Sequence, residues 1–211
     1  MNITSEAVHV TFEQHTPEPI GDHRIFAVLV PFVERGGELY LLYETRSRKM
    51  KTQPGETCFP GGHVEPGEEP VDCAVRETCE EIGIHPGQVH VAGPADYLIG
   101  KADFTLFPFV ATVDPDAVEH MTLQRDEVDE VFLVKVSDLA KVKPEVYIER
   151  MKAVIPEDFP YERVGISENY RWRIGQNKVL VYEVNGRIIW GMTAMITNQV
   201  LAEMGLTDRV K

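Results

Sequence analysis

The segment Gly62-His63-Val64-Glu65-Pro66-Gly67-Glu68, followed after seven residues by Arg76-Glu77-Thr78-Cys79-Glu80-Glu81-Ile82-Gly83-Ile84, decides the reading of this chain. Pro70 suits a first helical turn, and Gly83 with Pro86 behind it suits the end of one, so a helix is predicted between them. Val71, Ala74, Val75, Thr78 and Ile82 recur at helical spacing and form the face expected to pack inward. Glu77, Glu80 and Glu81 are expected to project from the other side. Like charges three and four apart on a helix repel by roughly 0.2–0.5 kcal/mol per pair, so their grouping implies a cation to be placed there. A set of carboxylate oxygens suits Mg²⁺ or Mn²⁺ rather than zinc or copper. Arg76, four residues before Glu80, is placed to orient or partly neutralise the acids. The glycine-rich loop before the helix supplies backbone freedom.

Composition sets the outer limits. With 211 residues the chain suits one domain with extensions. The division expected is an arm over 1–22 and a single domain over 23–211, with 144–177 as a candidate insertion or lid. A net charge of −13 argues against non-specific binding to nucleic acid or anionic membrane. It also requires bound cations and a local basic patch if the ligand is a phosphate. No apolar run is long enough to span a bilayer, and the N-terminus lacks the shape of a signal peptide. The three cysteines, Cys58, Cys73 and Cys79, form no Cys-x-x-Cys. They are expected to be reduced thiols in a cytoplasmic protein, with Cys58 and Cys73 as small packing residues.

Along the chain, the arm reads as carrying one short strand. Strands are expected over 24–33 and 38–45, 89–92, 95–101, 104–113, 131–136, 178–184 and 187–189, with Asn185-Gly186 as a hairpin turn. A short helix is expected to begin at Pro115, another at Ser137, and a longer one to run over 191–204. Within 144–177, interrupted by Pro144, Pro156 and Pro160, only 145–152 reads as helical.

The box resembles the signature of the Nudix hydrolases at all seven of its fixed positions: Gly62, Glu68, Arg76, Glu77, Glu80, Glu81 and Gly83. At ordinary residue frequencies that coincidence is on the order of 10⁻⁶ for a chain this size. Thr78 departs from the usual aliphatic residue. The resemblance implies an α/β Nudix fold, a mixed β-sheet sandwiched between α-helices. It also implies hydrolysis of a nucleoside diphosphate joined to a further group. In that scheme Glu77, Glu80 and Glu81 hold Mg²⁺ or Mn²⁺, and Arg76, Glu77 and Glu80 belong to the catalytic set. Glu68 supports the loop. The general base is Glu77 or an acid outside the box, Glu130 or Glu127, with Glu130 preferred because it directly precedes a strand.

Upstream, the segment from Arg46-Ser47 through Met50-Lys51 and Gly55 to Phe59-Pro60-Gly61-Gly62 resembles the extended motif of the coenzyme A diphosphatase branch. Gln53 stands there for a usual histidine, Glu56 for a glutamine, and Tyr43-Glu44 for Leu-Thr. Pro108-Phe109-Val110, Glu127-Val128-Asp129-Glu130-Val131-Phe132 and Ile189-Trp190-Gly191-Met192-Thr193-Ala194 resemble further motifs of that branch. The implied substrate is coenzyme A or a thioester, bound by Arg46, Arg48, Lys51, Gly61 and Gly62. ADP-ribose or another nucleoside diphosphate derivative is the alternative substrate, and a non-catalytic Nudix-fold binding module is the alternative of another class. A homodimer is the candidate assembly, because dimers are frequent among relatives.

Overall fold

A computed structural model describes residues 4–101 and 103–210. Strands β1 (Arg24–Arg35) and β2 (Glu38–Arg46) form the expected hairpin, and β1 runs parallel to β7 (Phe104–Val113). Around this centre lie β3 (Thr57–Cys58), β4 (Gly61–His63), β5 (Val89–Pro94), β6 (Leu98–Gly100) and β8 (Val128–Lys135). Together they make one mixed sheet in the order β3-β2-β1-β7-β5, with β4 on β1, β6 on β7 and β8 on β2. β1 reads as a continuous apolar run because both of its faces are covered. Ala27, Leu29 and Val33 pack on the side of helix α2 (Pro70–Ile82), and Val30 and Phe32 on the other.

The second face is closed by a small antiparallel sheet, β9 (Glu145–Met151), β10 (Gly175–Val184) and β11 (Arg187–Trp190), with helix α5 (Gly191–Glu203). Leu180, Tyr182, Ile189, Ala194, Ile196 and Leu201 meet Leu41, Tyr43, Phe132 and Val134 there. The short helices α3 (Pro115–Glu119) and α4 (Val136–Leu139) lie at the sheet ends. The expected mixed sheet between helices is therefore present.

Two expectations are corrected. Among its described residues the arm carries no strand but a helix, α1 (Ser5–Phe12), whose Ala7 N–H donates to the Thr4 hydroxyl at 3.2 Å and which buries none of its residues. Residues 145–152 are not helical, since β9 occupies 145–151 and pairs with β10 from Val181↔Glu145 to Gly175↔Met151. The β-branched and aromatic run Val146-Tyr147-Ile148 fits a strand, but its partner lies beyond a long irregular connection. In that connection Phe159, Tyr161, Tyr170 and Trp172 stack edge-on, with centroids 4.9–5.7 Å apart.

Candidate active site

Helix α2 starts at Pro70 and ends at Gly83, whose N–H donates to the Cys79 carbonyl. Its buried face is Cys73, Ala74, Thr78, Glu81 and Ile82. Glu81 thus departs from the expectation that all three acids project outward, because it lies on the face that meets the sheet and is only 4% exposed. Thr78 resolves its own departure from an aliphatic residue by donating its hydroxyl to the Ala74 carbonyl at 2.6 Å. A buried hydroxyl needs such a partner.

The loop glycines bring the acids together. Gly61 N–H donates to Glu81 Oε2 at 2.8 Å, and a Cβ on Gly62 would sit 2.4 Å from the Glu77 carboxyl carbon. Gly61 and Gly62, expected to hold substrate, are here engaged with Glu81 and Glu77. Arg76 is the organising cation. It donates to Glu68 through Nε (2.8 Å) and Nη2 (3.0 Å), and through Nη1 to Glu77 (2.8 Å) and Glu80 (3.3 Å). Arg76, followed by the Glu65 N–H, holds the Glu68 carboxyl at about 2, well below the usual range. Glu80 stands at the mouth, with its side chain 60% exposed.

Beneath these lies an acid that the motif reading did not assign. Glu44 on β2 is 1% exposed, and its Oε1 accepts from the Cys58 thiol at 3.2 Å. Burial, followed by repulsion from Glu44, Glu77 and Glu127, pushes the Glu81 carboxyl up, although the Gly61 N–H opposes this. Burial likewise raises Glu44, with the Cys58 hydrogen bond and Arg46 acting against it. The signal available in the sequence was an acid directly after the apolar run Leu39–Tyr43 of this strand. Alternation on β2 places Glu44 on the same face as Leu42, which packs with Ile82. Burial also pushes the Cys58 thiol well up and the Cys73 thiol to about 12, which fits packing residues rather than nucleophiles.

Glu130 does not join the acids. In the β2–β8 ladder, Val131 pairs with Glu44 and Glu130 with Thr45, so Glu130 shares the Phe132 face turned toward α5. Its carboxylate is gripped by Arg187 at 2.7 and 2.6 Å, which lowers its pKa. The preference for Glu130 as base rested on adjacency to a strand, which does not fix a face; the geometry sets its carboxylate on Arg187. A register slip between Thr45 and Arg46 leaves Asp129 as an extra residue. Glu127, beyond that bulge, lies close enough to Glu81 and Glu44 to repel both.

The basic loop is fastened beside this acid. Ser47 N–H donates to the Glu127 carbonyl at 2.7 Å, and Arg48 N–H to Asp129 Oδ2 at 3.1 Å. Arg46 Nε points to the Thr52 carbonyl at 3.4 Å, and Lys49 pairs with Asp126 at 3.0 Å. The residues Arg48 and Lys51 are exposed.

Among the described residues, no three acidic side chains are already converged as a metal cage, and Arg76 takes one oxygen each of Glu77 and Glu80. The residues nevertheless fit a hard divalent cation. Glu44 Oε2 is buried without a hydrogen-bond partner, and Glu81 is buried among other acids. Such a donor set is stabilised by a cation with oxygen preference. Glu77, Glu80 and Glu81 would hold it.

A family model described as NUDIX domain matches residues 23–157. Nudix hydrolase 3 of Caenorhabditis elegans is 30% identical over 179 residues, covering 83% of this chain and 71% of that protein. The peroxisomal coenzyme A diphosphatase NUDT7 of Mus musculus is 38% identical over 135 residues, 64% of this chain and 56% of that protein's length. The mitochondrial coenzyme A diphosphatase NUDT8 of Homo sapiens is 29% identical over 177 residues, 83% of this chain and 67% of that protein. Among the described residues, no helix is long and apolar enough to cross a membrane.

Proposed function

Because the chain belongs to the Nudix hydrolase family, we propose that it cleaves the diphosphate of coenzyme A or its thioesters, with Mg²⁺ or Mn²⁺ as cofactor. Water adds across the P–O–P link, giving 3′,5′-ADP and 4′-phosphopantetheine or its acyl form. The observation that carries this reading is the fastening of the basic loop to Glu127 through the Ser47 N–H at 2.7 Å. It ties the loop that carries the exposed cations Arg48 and Lys51 to the backbone of the Glu127 segment. Coenzyme A has a 3′-phosphate in addition to its diphosphate and so needs a second cationic contact. Relatives named as coenzyme A diphosphatases support the same substrate class.

A bound divalent cation supplies neutralisation of the diphosphate oxygens and activation of water. The chain's own residues do the rest. Glu77, Glu80 and Glu81 hold the cation, and Arg76, anchored by Glu68, sets the directions of Glu77 and Glu80. Glu127 accepts the proton of the attacking water at a carboxylate oxygen. Arg48 and Lys51 take the 3′-phosphate. Three free thiols are consistent with a reducing compartment such as the cytoplasm.

Product analysis with coenzyme A and ADP-ribose, each with and without Mg²⁺, tests the reading. The expected result is 3′,5′-ADP from coenzyme A only when the cation is present. Cleavage of ADP-ribose with coenzyme A untouched would reassign the substrate. Cation binding without turnover of either would point to a binding module.

A further inference from the structure

We propose that Glu44 contributes a fourth carboxylate to the divalent-cation site of Glu77, Glu80 and Glu81, with Oε2 as the contributing oxygen. This rests on the cation-dependent reading above and extends its ligand set to a second element of the fold, strand β2.

Three observations support it. First, Glu44 is 1% exposed and its Oε2 has no hydrogen-bond partner, while Oε1 accepts from Cys58 Sγ at 3.2 Å. An unpaired buried carboxylate oxygen is strongly disfavoured unless something positive meets it. Second, the strand aims it at the acids. Leu42 and Glu44 share the face covered by α2, and Leu42 packs against Ile82. Two residues along a strand advance about 7 Å, which carries Glu44 from beneath Ile82 to beneath Glu81, where the two carboxylates repel each other. Third, the cation that offsets the other acids is directed elsewhere, because the Arg76 hydrogen bonds reach Glu68, Glu77 and Glu80. Arg46 attracts Glu44, but its Nε is turned toward the Thr52 carbonyl. An oxygen-only site for Mg²⁺ or Mn²⁺ takes up such a carboxylate.

Mn²⁺ is the probe. Its binding to the full chain is followed by the loss of the free-ion EPR signal and by calorimetry, for wild type, Glu44→Gln and Glu81→Gln, alongside thermal unfolding with and without Mn²⁺. Glu44→Gln is expected to weaken Mn²⁺ binding tenfold or more and to shrink the Mn²⁺-induced rise in Tm, without lowering the cation-free Tm. If the glutamine variant does not accumulate, Glu44→Thr removes the carboxylate with a smaller side chain and is read in the same way. Mn²⁺ affinity within twofold of wild type in the Glu44 variant, with binding lost in Glu81→Gln, overturns this inference alone. Wild-type affinity in Glu81→Gln as well would overturn the cation-dependent function beneath it.

Discussion

The neighbouring glycines of the catalytic loop should fail in different ways when a methyl group is added. On Gly62 a Cβ would lie 2.4 Å from the Glu77 carboxyl carbon and 2.6 and 2.7 Å from its oxygens. Non-bonded carbons rest at about 3.5–4.0 Å, so the carboxyl group must retreat by about 1 Å. A flexible side-chain end can do that without moving the backbone. The fold should then lose little, since the reduced freedom of the unfolded chain returns about 0.4–1 kcal/mol. Catalysis should lose much more: a displacement of about 1 Å in a positioned group costs on the order of 10²-fold, or about 2.7 kcal/mol in the barrier. On Gly61 the same methyl would meet the Ala27 carbonyl oxygen at 2.3 Å and the Val28 Cα at 2.6 Å, at a φ of +149°. Backbone cannot yield cheaply there, so Gly61→Ala should lower stability by several kcal/mol, in the range for overpacking plus backbone strain. The assay pairs kcat/KM on coenzyme A with thermal unfolding. Gly62→Ala should keep its Tm within a few degrees and lose about two orders of magnitude in rate. A Gly62→Ala protein with full activity, or one whose activity loss tracks unfolding, would refute the reasoning.

Other outcomes follow from the same geometry. Glu127→Gln should lower kcat by about 10²-fold or more, the scale of general-base catalysis, whereas Glu130→Gln should stay within about threefold of wild type because its carboxylate serves Arg187; steady-state kinetics at saturating Mg²⁺ compares them, and the reverse order would restore Glu130 as base. Arg48→Ala and Lys51→Ala should raise KM for coenzyme A more than for dephospho-coenzyme A, and an equal rise for both would remove these residues from the 3′-phosphate contact. Arg187 depresses the pKa of Glu130, so this pair stabilises the fold above the unfolded carboxyl pKa of about 4.3 and its contribution fades as pH falls through the lower folded value. With a Glu130 side chain 48% exposed, the effect is about 0.2–1 kcal/mol; urea midpoints of wild type and Glu130→Gln should differ at pH 7 and converge below about pH 4, and a difference that persists undiminished at pH 2 would exclude the pair as its source.

Local signals carried much of this molecule. The box helix was legible because Pro70, the apolar spacing and Gly83 all act within a few residues of one another, and the β1–β2 hairpin because its turn is short. The parallel union of β1 with β7 was not, since Arg24 finds Phe104 across a large part of the chain and no local pattern records that pairing. The same limit turned β9 into an expected helix, because its partner β10 lies beyond the irregular connection. At the site, the sequence supplied the acids but not their depth. Helical spacing placed Glu81 with Glu77 and Glu80, whereas the sheet pressing on α2 buries Glu81 and leaves Glu80 in solvent. The face taken by Glu130 was not legible because standing next to a strand does not say which side of it a residue occupies, and the one-residue bulge beyond Thr45, which has no reliable local signature, hid the placement of Glu127.

The closing layer on the α5 side has a practical bearing on how much polypeptide makes a working unit. The family match stops at residue 157, between β9 and β10. A version trimmed there would deprive β9 of its only neighbouring strand among the described residues. It would also take away Thr197, which hydrogen-bonds to the Tyr43 hydroxyl at 3.0 Å, and Thr193, whose hydroxyl donates to the Thr57 carbonyl at 3.1 Å just ahead of the glycine loop. Leu41, Tyr43, Phe132 and Val134 would face water as one bare oily plate. Such a truncation should yield insoluble material rather than a minimal enzyme, because the tail beyond the recognisable module is the second half of its core.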